Sequence, residues 1–516
     1  MQINRFLKSS IVVALGTFVS RLSGFPREQM IAYLFGASNT ADAVNVAFRF
    51  PNLFRRIFAE GALSAVFIPI FNDIYSADTK QANIFANQIA ILLTLFLVFF
   101  IGLMEYFMPQ IVSMIAPGFS EHTEHFTLTV YLCRVTLPYL LFVSLGALIG
   151  GILNSLDKFA SFSFNQVIFN VTIIFFTLSI TYFDLLSAET AIAIGVILGG
   201  FLQLFALFYN VYKSKFNLFW PKTFQGQEVS LLLKRLMPAI ISYGTMQLNL
   251  FISQIIASFI SGAISVIGYA ERIYQLPLSI FATTFSTVLL PSLSKLHKTN
   301  LDDKIQNLQS AIIRLSLVLT FPCAIILMFM STEFVEIIYE GGSFSPSATM
   351  RVANILFWFS LALPAFSLVK IYTTLLYSRG KANIVMRVTI YTLIINTALN
   401  YILINFLREV GIAIGSAVAA WINLGMIIWY YNITVPSKMN ISKMFFFKLF
   451  VITLSIILSL FLAKSLLRSF FDSQTLIGRL SFTFSVLIVT AISYIISLIK
   501  INLIKIDWKS FKLIEF

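Results

Sequence analysis

Arg21-Leu-Ser-Gly-Phe-Pro-Arg27-Glu28 interrupts a long apolar run near its middle, and Asp42, Arg49, Arg55, Arg56 and Glu60 accumulate in the next such run. Glu271 and Arg272 fall in an eighth run and Lys370 in a tenth. A charged side chain near the centre of a bilayer costs at least about 2.5–3.5 kcal/mol on insertion scales. Such residues must face water, one another or a ligand. Arg49, Asn52, Arg56 and Glu60 step by three or four positions, which puts them on one helix face, with Arg55 one position away. Gly24 and Pro26 predict a break in the first helix between Arg21 and Arg27, and a broken helix is tolerated where the freed backbone lines a cavity. Ion pairs such as Arg56 with Glu60 or Arg27 with Asp42 would account for single residues but not for the set. Arg21, Arg27, Arg49, Arg55, Arg56 and Arg272 outnumber Glu28, Asp42, Glu60 and Glu271. A cationic cavity of this kind implies an anionic guest, and the planar fork of arginine binds phosphate oxygens in pairs while staying charged. Snorkelling to the interface suits Arg351, at a span end, but not Lys370.

The elements that must carry these residues follow from composition. Of 516 residues, 58% are hydrophobic and 11% charged, and the mean hydropathy is +0.88. Soluble domains carry roughly a quarter charged residues, so the chain belongs to the membrane class. Apolar runs of about 20 residues, the length needed to cross the hydrocarbon core, recur along the chain without the alternation of a barrel. Fourteen spans are expected, the first near 7–35, the second near 38–72 and the last near 477–500. With the N-terminus in the cytoplasm, the loops on that side hold Lys80, Lys158, Lys213, Lys295, Arg379, Lys381, Lys438 and Lys443 among others. The first five opposite loops hold neither Lys nor Arg; Arg408, Lys464, Arg468 and Arg479 are late exceptions. Both termini are therefore expected in the cytoplasm. The net charge of +14 reflects this loop bias and gives no reason to expect a nucleic-acid partner. The segment from Lys500 to Phe516 alternates Lys with apolar residues, as a tail lying on an anionic leaflet would.

Cys133 and Cys323 lie in apolar segments and are expected to be packing residues. His122 and His125 fall in an acidic stretch with no further His or Cys nearby, the pattern of a solvated loop pair. No cleavable signal peptide is expected, because the first apolar run leads directly into further spans. Two echoes suggest an internal repeat. Ala47-Phe-Arg49-Phe-Pro51 resembles Ala270-Glu-Arg272 followed by Pro277, and Pro138 with Ser155-x-x-Lys158 resembles Pro364 with Ser378-x-x-Lys381. Both place the second half six spans after the first in the same orientation. The expected fold is an all-α polytopic membrane protein: a six-helix lobe over 1–217, a second over 218–437, and two extra C-terminal helices with a basic tail over 438–516.

At the same residues the chain resembles the MurJ (MviN) family of lipid II flippases, within the multidrug/oligosaccharidyl-lipid/polysaccharide exporter superfamily. The resemblance rests on Ser20-Arg21-Leu-Ser-Gly24-Phe-Pro-Arg27-Glu28, Phe35-Gly36-Ala37, Thr40-Ala-Asp42-Ala and, most specifically, Pro51-Asn-Leu-Phe-Arg55-Arg56-Ile-Phe-Ala-Glu60-Gly61-Ala. Pro138-Tyr, Asn154, Tyr269-Ala-Glu271-Arg272, Leu290-Pro291-Ser-Leu-Ser and Tyr377-Ser378-Arg379 extend it over about residues 5–500. It implies a flippase, not an enzyme, that moves lipid II from the inner to the outer leaflet of the bacterial cytoplasmic membrane by alternating access. The family's essential cavity arginines fall on Arg21, Arg27, Arg55 and Arg272, and its neighbouring functional positions on Asp42, Arg49, Glu60 and Lys370; Arg56 joins them by spacing. Glu28 and Glu271 stand where aspartate is common. The last two helices are implied to form a groove for the lipid tail. Some members bind sodium through carboxylates and amides of the seventh and eleventh spans; here those spans offer Gln247, Asn249, Asn396 and Asn400 but no matching carboxylate. No cofactor is expected, and the membrane potential is the expected drive. The expected partners are lipid II, membrane lipids and other cell-wall synthesis proteins, with the chain acting as a monomer.

Two rivals make different demands. One is a flippase or exporter of the same superfamily for another substrate, such as a different polyprenyl-linked sugar or a drug; drug extruders usually have twelve spans and lack this arginine set. A membrane glycosyltransferase or polymerase would need a catalytic carboxylate or metal site in a water-facing loop, for which Glu121–Glu124 and Glu333–Glu340 are the only candidates. No Gly-x-x-x-x-Gly-Lys-Ser/Thr run for nucleotide-driven transport occurs.

Overall fold

The computed structural model describes residues 2–121, 123–156, 158, 161, 164–214, 219, 221, 226–279, 302–434, 442–472, 475–501, 505–507 and 512–515. Side chains are described throughout these except at 2–15, 17–18, 59–60, 241–242, 245–246, 249–250, 302–305, 307–308, 505–507 and 512–515. Helix follows helix: α1 Gln2–Phe35, α2 Asn39–Phe54, a π-helix Arg55–Leu63, α3 Ser64–Ala77, α4 Thr79–Tyr106, α5 Met108–Ile115 and, after a 3₁₀ turn at Pro117–Glu121, α6 Thr123–Thr136 and α7 Tyr139–Ser155. There follow α8 Asn165–Tyr182, α9 Ala188–Tyr212, α10 Gln227–Ala257, α11 Ala263–Leu278, α12 Asp302–Phe329, α13 Ser331–Tyr339, α14 Pro346–Ser378, α15 Ala382–Leu407, α16 Glu409–Thr434, α17 Lys443–Leu467 and α18 Leu476–Lys500. Among the described residues, eleven of these helical stretches are long and apolar enough to cross a membrane. Helices α1, α10 and α11 stand at three further expected positions but fall outside that set. The protein is helical and polytopic, with one departure from all-α. The tail forms a small antiparallel hairpin, β1 Lys505–Asp507 with β2 Lys512–Glu515, pairing Ile506 with Leu513 and Asp507 with Lys512.

The helix ends are capped where the sequence supplies short polar side chains. Ser38 accepts from the Ala41 N–H at 3.2 Å, Asp78 from Lys80 at 2.7 Å and Ser442 from Phe445 at 3.2 Å, each satisfying a donor that the first turn leaves without an intrahelical partner. Proline does not end these helices. Pro51 lacks an N–H and so leaves the Ala47 carbonyl without its intrahelical donor. The Thr136 hydroxyl supplies the missing bond at 2.9 Å from α6, the kind of repair that lets proline persist in membrane helices. The expected break at Gly24 and Pro26 does not occur: α1 is helical through Phe35 with Pro26 inside it.

The chain divides into two compact units, Met1–Ser265 and Val266–Phe516. In the first, Phe67, Phe71, Phe85, Leu153 and Leu207 build a core, with Phe67 and Phe85 stacked 5.6 Å apart between α3 and α4. In the second, Leu375, Leu424, Ile427, Leu460 and Val486 join α14, α16, α17 and α18. Cys133 is buried and Cys323 half-buried, both as free thiols, in keeping with a packing role. His125 is not a solvated loop residue: it sits in the first turn of α6, buried, with its ring 3.9 Å from that of Phe119. His122 lies outside the described residues.

Candidate substrate-binding site

In the first unit, α1 offers one arginine outward and draws one in. Arg21 is exposed. Arg27 is only 3% exposed; its Nη2 pairs with Glu28 at 2.6 Å, its Nη1 donates to Asn170 Oδ1 at 2.9 Å, and its guanidinium lies 4.5 Å from the centre of the Phe48 ring. An arginine can be desolvated in this way because its delocalised charge is weakly hydrated and its planar face stacks on aromatic rings. Phe48 is on α2 and Asn170 on α8, so two neighbouring helices orient a charge carried by a third.

The run that begins Arg55-Arg56 is a nine-residue π-helix, not a continuation of α2. π-helical turns are rare, usually single, and frequent at functional sites. The stripe expected from three- and four-residue steps thus runs from α2 into the wider turns of the π-helix. Arg55 joins Asn52, its Nε donating to Asn52 Oδ1 at 2.9 Å. The Asn52 amide donates in turn to the Phe48 carbonyl at 2.7 Å. Arg56 is exposed and Arg49 half-buried. The side chain of Glu60 lies outside the described residues. Gly61 is required by a close approach, since a Cβ there would stand 2.8 Å from the Tyr243 ring of α10.

Asp42 is fully buried at the start of α2, where it accepts from the Ser265 N–H at 2.7 Å and the Ser265 hydroxyl at 2.5 Å. Ser265 opens α11, so the carboxylate serves a helix N-terminus, a position that favours negative charge. Ser261, just before α11, bonds Asn39, and Ser258 accepts from the Gly118 N–H at 3.1 Å. In the second unit, α11 carries Glu271, half-buried, and Arg272, exposed. Tyr274 of α11 packs against Phe359 and Phe366 of α14, at 5.1 and 6.0 Å between ring centres. Lys370, one turn beyond Phe366, is exposed on α14.

Other charges have a structural role. The acidic stretch Glu333–Glu340 is mostly the short helix α13, not a loop. Glu333 pairs with Lys464 of α17 at 2.5 Å, and Glu340 with Arg479 of α18 at 2.9 Å. Two of the cations that break the expected loop bias are thus matched by carboxylates from α13 and the residue after it. Arg351, near the start of α14, is partly exposed, and its Nε meets buried Glu409 of α16 at 2.6 Å. Two further features escaped the sequence reading. The half-exposed pair Arg134–Glu105, at 3.9 Å, joins α6 to α4, and Asn170 is a buried amide within an apolar helix, a polar residue in a span being the signal that could have found it. Asn396 and Asn400 are buried on α15, Gln247 is half-buried on α10, and the Asn249 side chain lies outside the described residues. Among the described residues no group of three or more His, Cys, Asp or Glu is arranged to hold a metal ion.

Long apolar helices of spanning length that carry arginines define a helical, polytopic membrane protein. More narrowly, the chain belongs to the MurJ family of lipid II flippases: the family model described as "Lipid II flippase MurJ" matches residues 31–505. A probable lipid II flippase MurJ of Rickettsia prowazekii (strain Madrid E) is 43% identical over 487 residues, 93% of this chain and 95% of that protein. The counterpart from Rhizobium tropici is 38% identical over 81% of this chain and 79% of its own length. Among solved structures, one described as "Lipid II flippase MurJ, inward closed conformation" superposes with a TM-score of 0.79 at 23% identity, over 95% of this chain and 100% of that one. A multidrug resistance transporter of the MATE family follows the same fold with a TM-score of 0.67 at 13% identity, over 83% of this chain and 98% of its own. The family is one of membrane transporters and not of enzymes.

Proposed function

We propose that this chain moves lipid II from the inner to the outer leaflet of the bacterial cytoplasmic membrane by alternating access. Arg21, Arg27, Arg55 and Arg272 hold the diphosphate of the lipid. Arg49, Arg56 and Lys370 add positive potential around it, and Asp42 and Glu60 keep the helices that carry the arginines in place. The observation that carries this reading is the excess of guanidinium groups over carboxylates from Arg21 to Glu60, five against three, within the long helical run of α1, α2 and the π-helix. Such an excess is costly in lipid and is stabilised by an anionic guest. No bond is made or broken in the cargo. Diphosphate binding neutralises the arginines, which lowers the electrostatic cost of closing the site and reopening it on the other side.

The remaining architecture follows from the internal echoes. The lobes are 1–217 and 218–437, fourteen spans in all, with the two helices of 438–516 outside the repeat and both termini in the cytoplasm. The chain works as a monomer beside the enzymes that make and use lipid II. Once emptied, a cationic site is drawn back toward a negative cytoplasm by about 2.3 kcal/mol per charge per 100 mV. Against a glycosyltransferase or polymerase stands the engagement of Glu333 and Glu340 in ion pairs with Lys464 and Arg479.

The decisive experiment is complementation of a bacterium depleted of its own lipid II flippase. The wild-type chain is expected to restore growth, and Arg→Ala changes at 21, 27, 55 and 272 to abolish it at equal membrane levels. Full rescue by all four variants would overturn the assignment.

A further inference from the structure

We propose that Asn170 of α8 is a positioning residue for Arg27, directing its guanidinium toward the lipid-linked diphosphate without cancelling its charge; this rests on the flippase reading above. Asn170 is 1% exposed and makes contacts of opposite polarity at its two ends. Its Oδ1 accepts from Arg27 Nη1 at 2.9 Å, while its Nδ2 donates to the Ser23 hydroxyl at 2.9 Å and to the Ser20 carbonyl at 3.3 Å. The Ser23 hydroxyl donates to the same Ser20 carbonyl at 2.8 Å. A guanidinium only donates and a carbonyl oxygen only accepts. The amide therefore has one orientation that satisfies both ends, and it offers the two polarities from separate atoms.

The location gives the contact its consequence. Ser20 and Ser23 lie in the turns just before Pro26, whose missing N–H removes one backbone bond from α1 at this point. Asn170 fastens that weakened turn to α8 with one end and fixes the Arg27 fork with the other. Phe48 covers the face of the guanidinium from α2, and Phe169, next to Asn170 in sequence, packs on Phe48 at 5.9 Å between ring centres. Arg27 is thus aimed by a neutral acceptor and an aromatic face. Glu28 offsets part of its charge. A second carboxylate in place of Asn170 would offset the rest, and it could not donate to the Ser20 carbonyl.

The test uses the full-length protein in lipid nanodiscs, with lipid II as the probe, for wild type, N170A, N170D, R27A and the doubles R27A/N170A and R27A/N170D. Wild type is expected to bind and R27A to bind about tenfold or more weakly, the scale of a lost hydrogen bond between charged partners. N170D is expected to fall to the R27A level and N170A to lie between them. Neither change should weaken R27A further, because an aiming residue has nothing left to aim. Thermal unfolding of each variant reports any purely structural loss, and N170D, which matches asparagine in size, keeps the test available if N170A folds poorly. Wild-type affinity in N170D would overturn the proposal, as would equal losses from the Asn170 changes with and without Arg27. Wild type that fails to bind lipid II would overturn the flippase reading itself and this proposal with it; binding by wild type with loss only in R27A would overturn this proposal alone.

Discussion

Charge is handled in two ways in this molecule. In α1, α2 and the π-helix, arginines outnumber carboxylates, and the groups that orient them include neutral ones: Asn170 and the Phe48 ring for Arg27, Asn52 for Arg55. Around α13 in the second unit, carboxylates meet cations directly: Glu333 pairs with Lys464 and Glu340 with Arg479, and near the starts of α16 and α14 Glu409 meets Arg351. Opposite charges within about 3 Å neutralise each other's field and fasten helices together. An amide or a ring orients a cation without opposing its field, although at Arg27 the Glu28 carboxylate at 2.6 Å opposes part of it. Matched charge between helices therefore belongs to architecture here, and excess charge is what the proposed function assigns to cargo.

The comparison is sharpest at Arg27. Lysine keeps the charge but has neither the fork nor the planar face. Arg27→Lys is expected to reduce lipid II flipping in proteoliposomes by about a hundredfold, equivalent to losing one or two charge-assisted hydrogen bonds, while thermal stability changes little. A flipping rate close to wild type would make Arg27 a diffuse source of potential instead of a directed ligand. The mirror experiment is Arg351→Ala, which takes the close partner from buried Glu409 and leaves Arg408 at 3.7 Å. Because Arg351 is itself partly exposed, about 2 kcal/mol of destabilisation is expected, below the range for a fully buried pair. Flipping per folded molecule should be unchanged. The double replacement Arg351→Met with Glu409→Leu should recover most of the lost stability, as apolar substitutes for buried ion pairs often do. If the double is as unstable as the single, the pair is more than a fastener.

Gly61→Ala tests the element between these extremes. The added methyl meets the Tyr243 ring at 2.8 Å, and overpacking of this kind costs about 1–3 kcal/mol. Because the π-helix carries Arg55 and Arg56, both unfolding temperature and flipping are expected to fall. Loss of stability with full flipping would show that the π-helical register is not what sets the arginines.

Much of this was legible in the chain. Apolar runs of spanning length announce membrane helices because lipid allows few alternatives. Arg21, Arg27, Arg49, Arg55, Arg56, Arg272 and Lys370 announce themselves because charge in such runs is rare. Two kinds of feature stayed hidden. The π-helix was hidden because three- and four-residue spacing presumes α-helical geometry, and nothing local in Arg-Arg-Ile-Phe-Ala-Glu-Gly announces the wider turn. The continuity of α1 through Pro26 was hidden for another reason, since the bonds from Asn170 to that stretch come from a helix about 150 positions further on. Pairing was hidden too. Lys464 and Arg479 read as exceptions to loop bias and Glu333–Glu340 as a candidate catalytic loop, yet they answer each other across more than a hundred residues.

The smallest expected effects come from the α13 cluster itself. Lys464→Ala removes a partly exposed pair with Glu333 and a 2.9 Å bond to the Phe329 carbonyl, and about 0.5–1 kcal/mol is expected from a pair of this exposure. Glu336 lies on the same helix. Burial raises its pKa first, the Glu340 and Glu333 charges raise it further, and Arg479 and Arg468 oppose them. A carboxyl whose folded pKa is raised favours the folded state most when it is protonated. Its contribution is fully present below the ordinary glutamate value of about 4.3 and is lost as pH rises through the folded value. Glu336→Gln keeps the neutral form at every pH. It should therefore raise the unfolding temperature slightly at neutral pH, and the gain should vanish as the buffer is brought to about pH 4. The opposite sign, with the variant less stable at neutral pH, would mean that Glu336 is held as an anion by Arg479 and Arg468. The α13 cluster would then be a three-carboxylate clamp rather than two matched pairs with a strained neighbour between them.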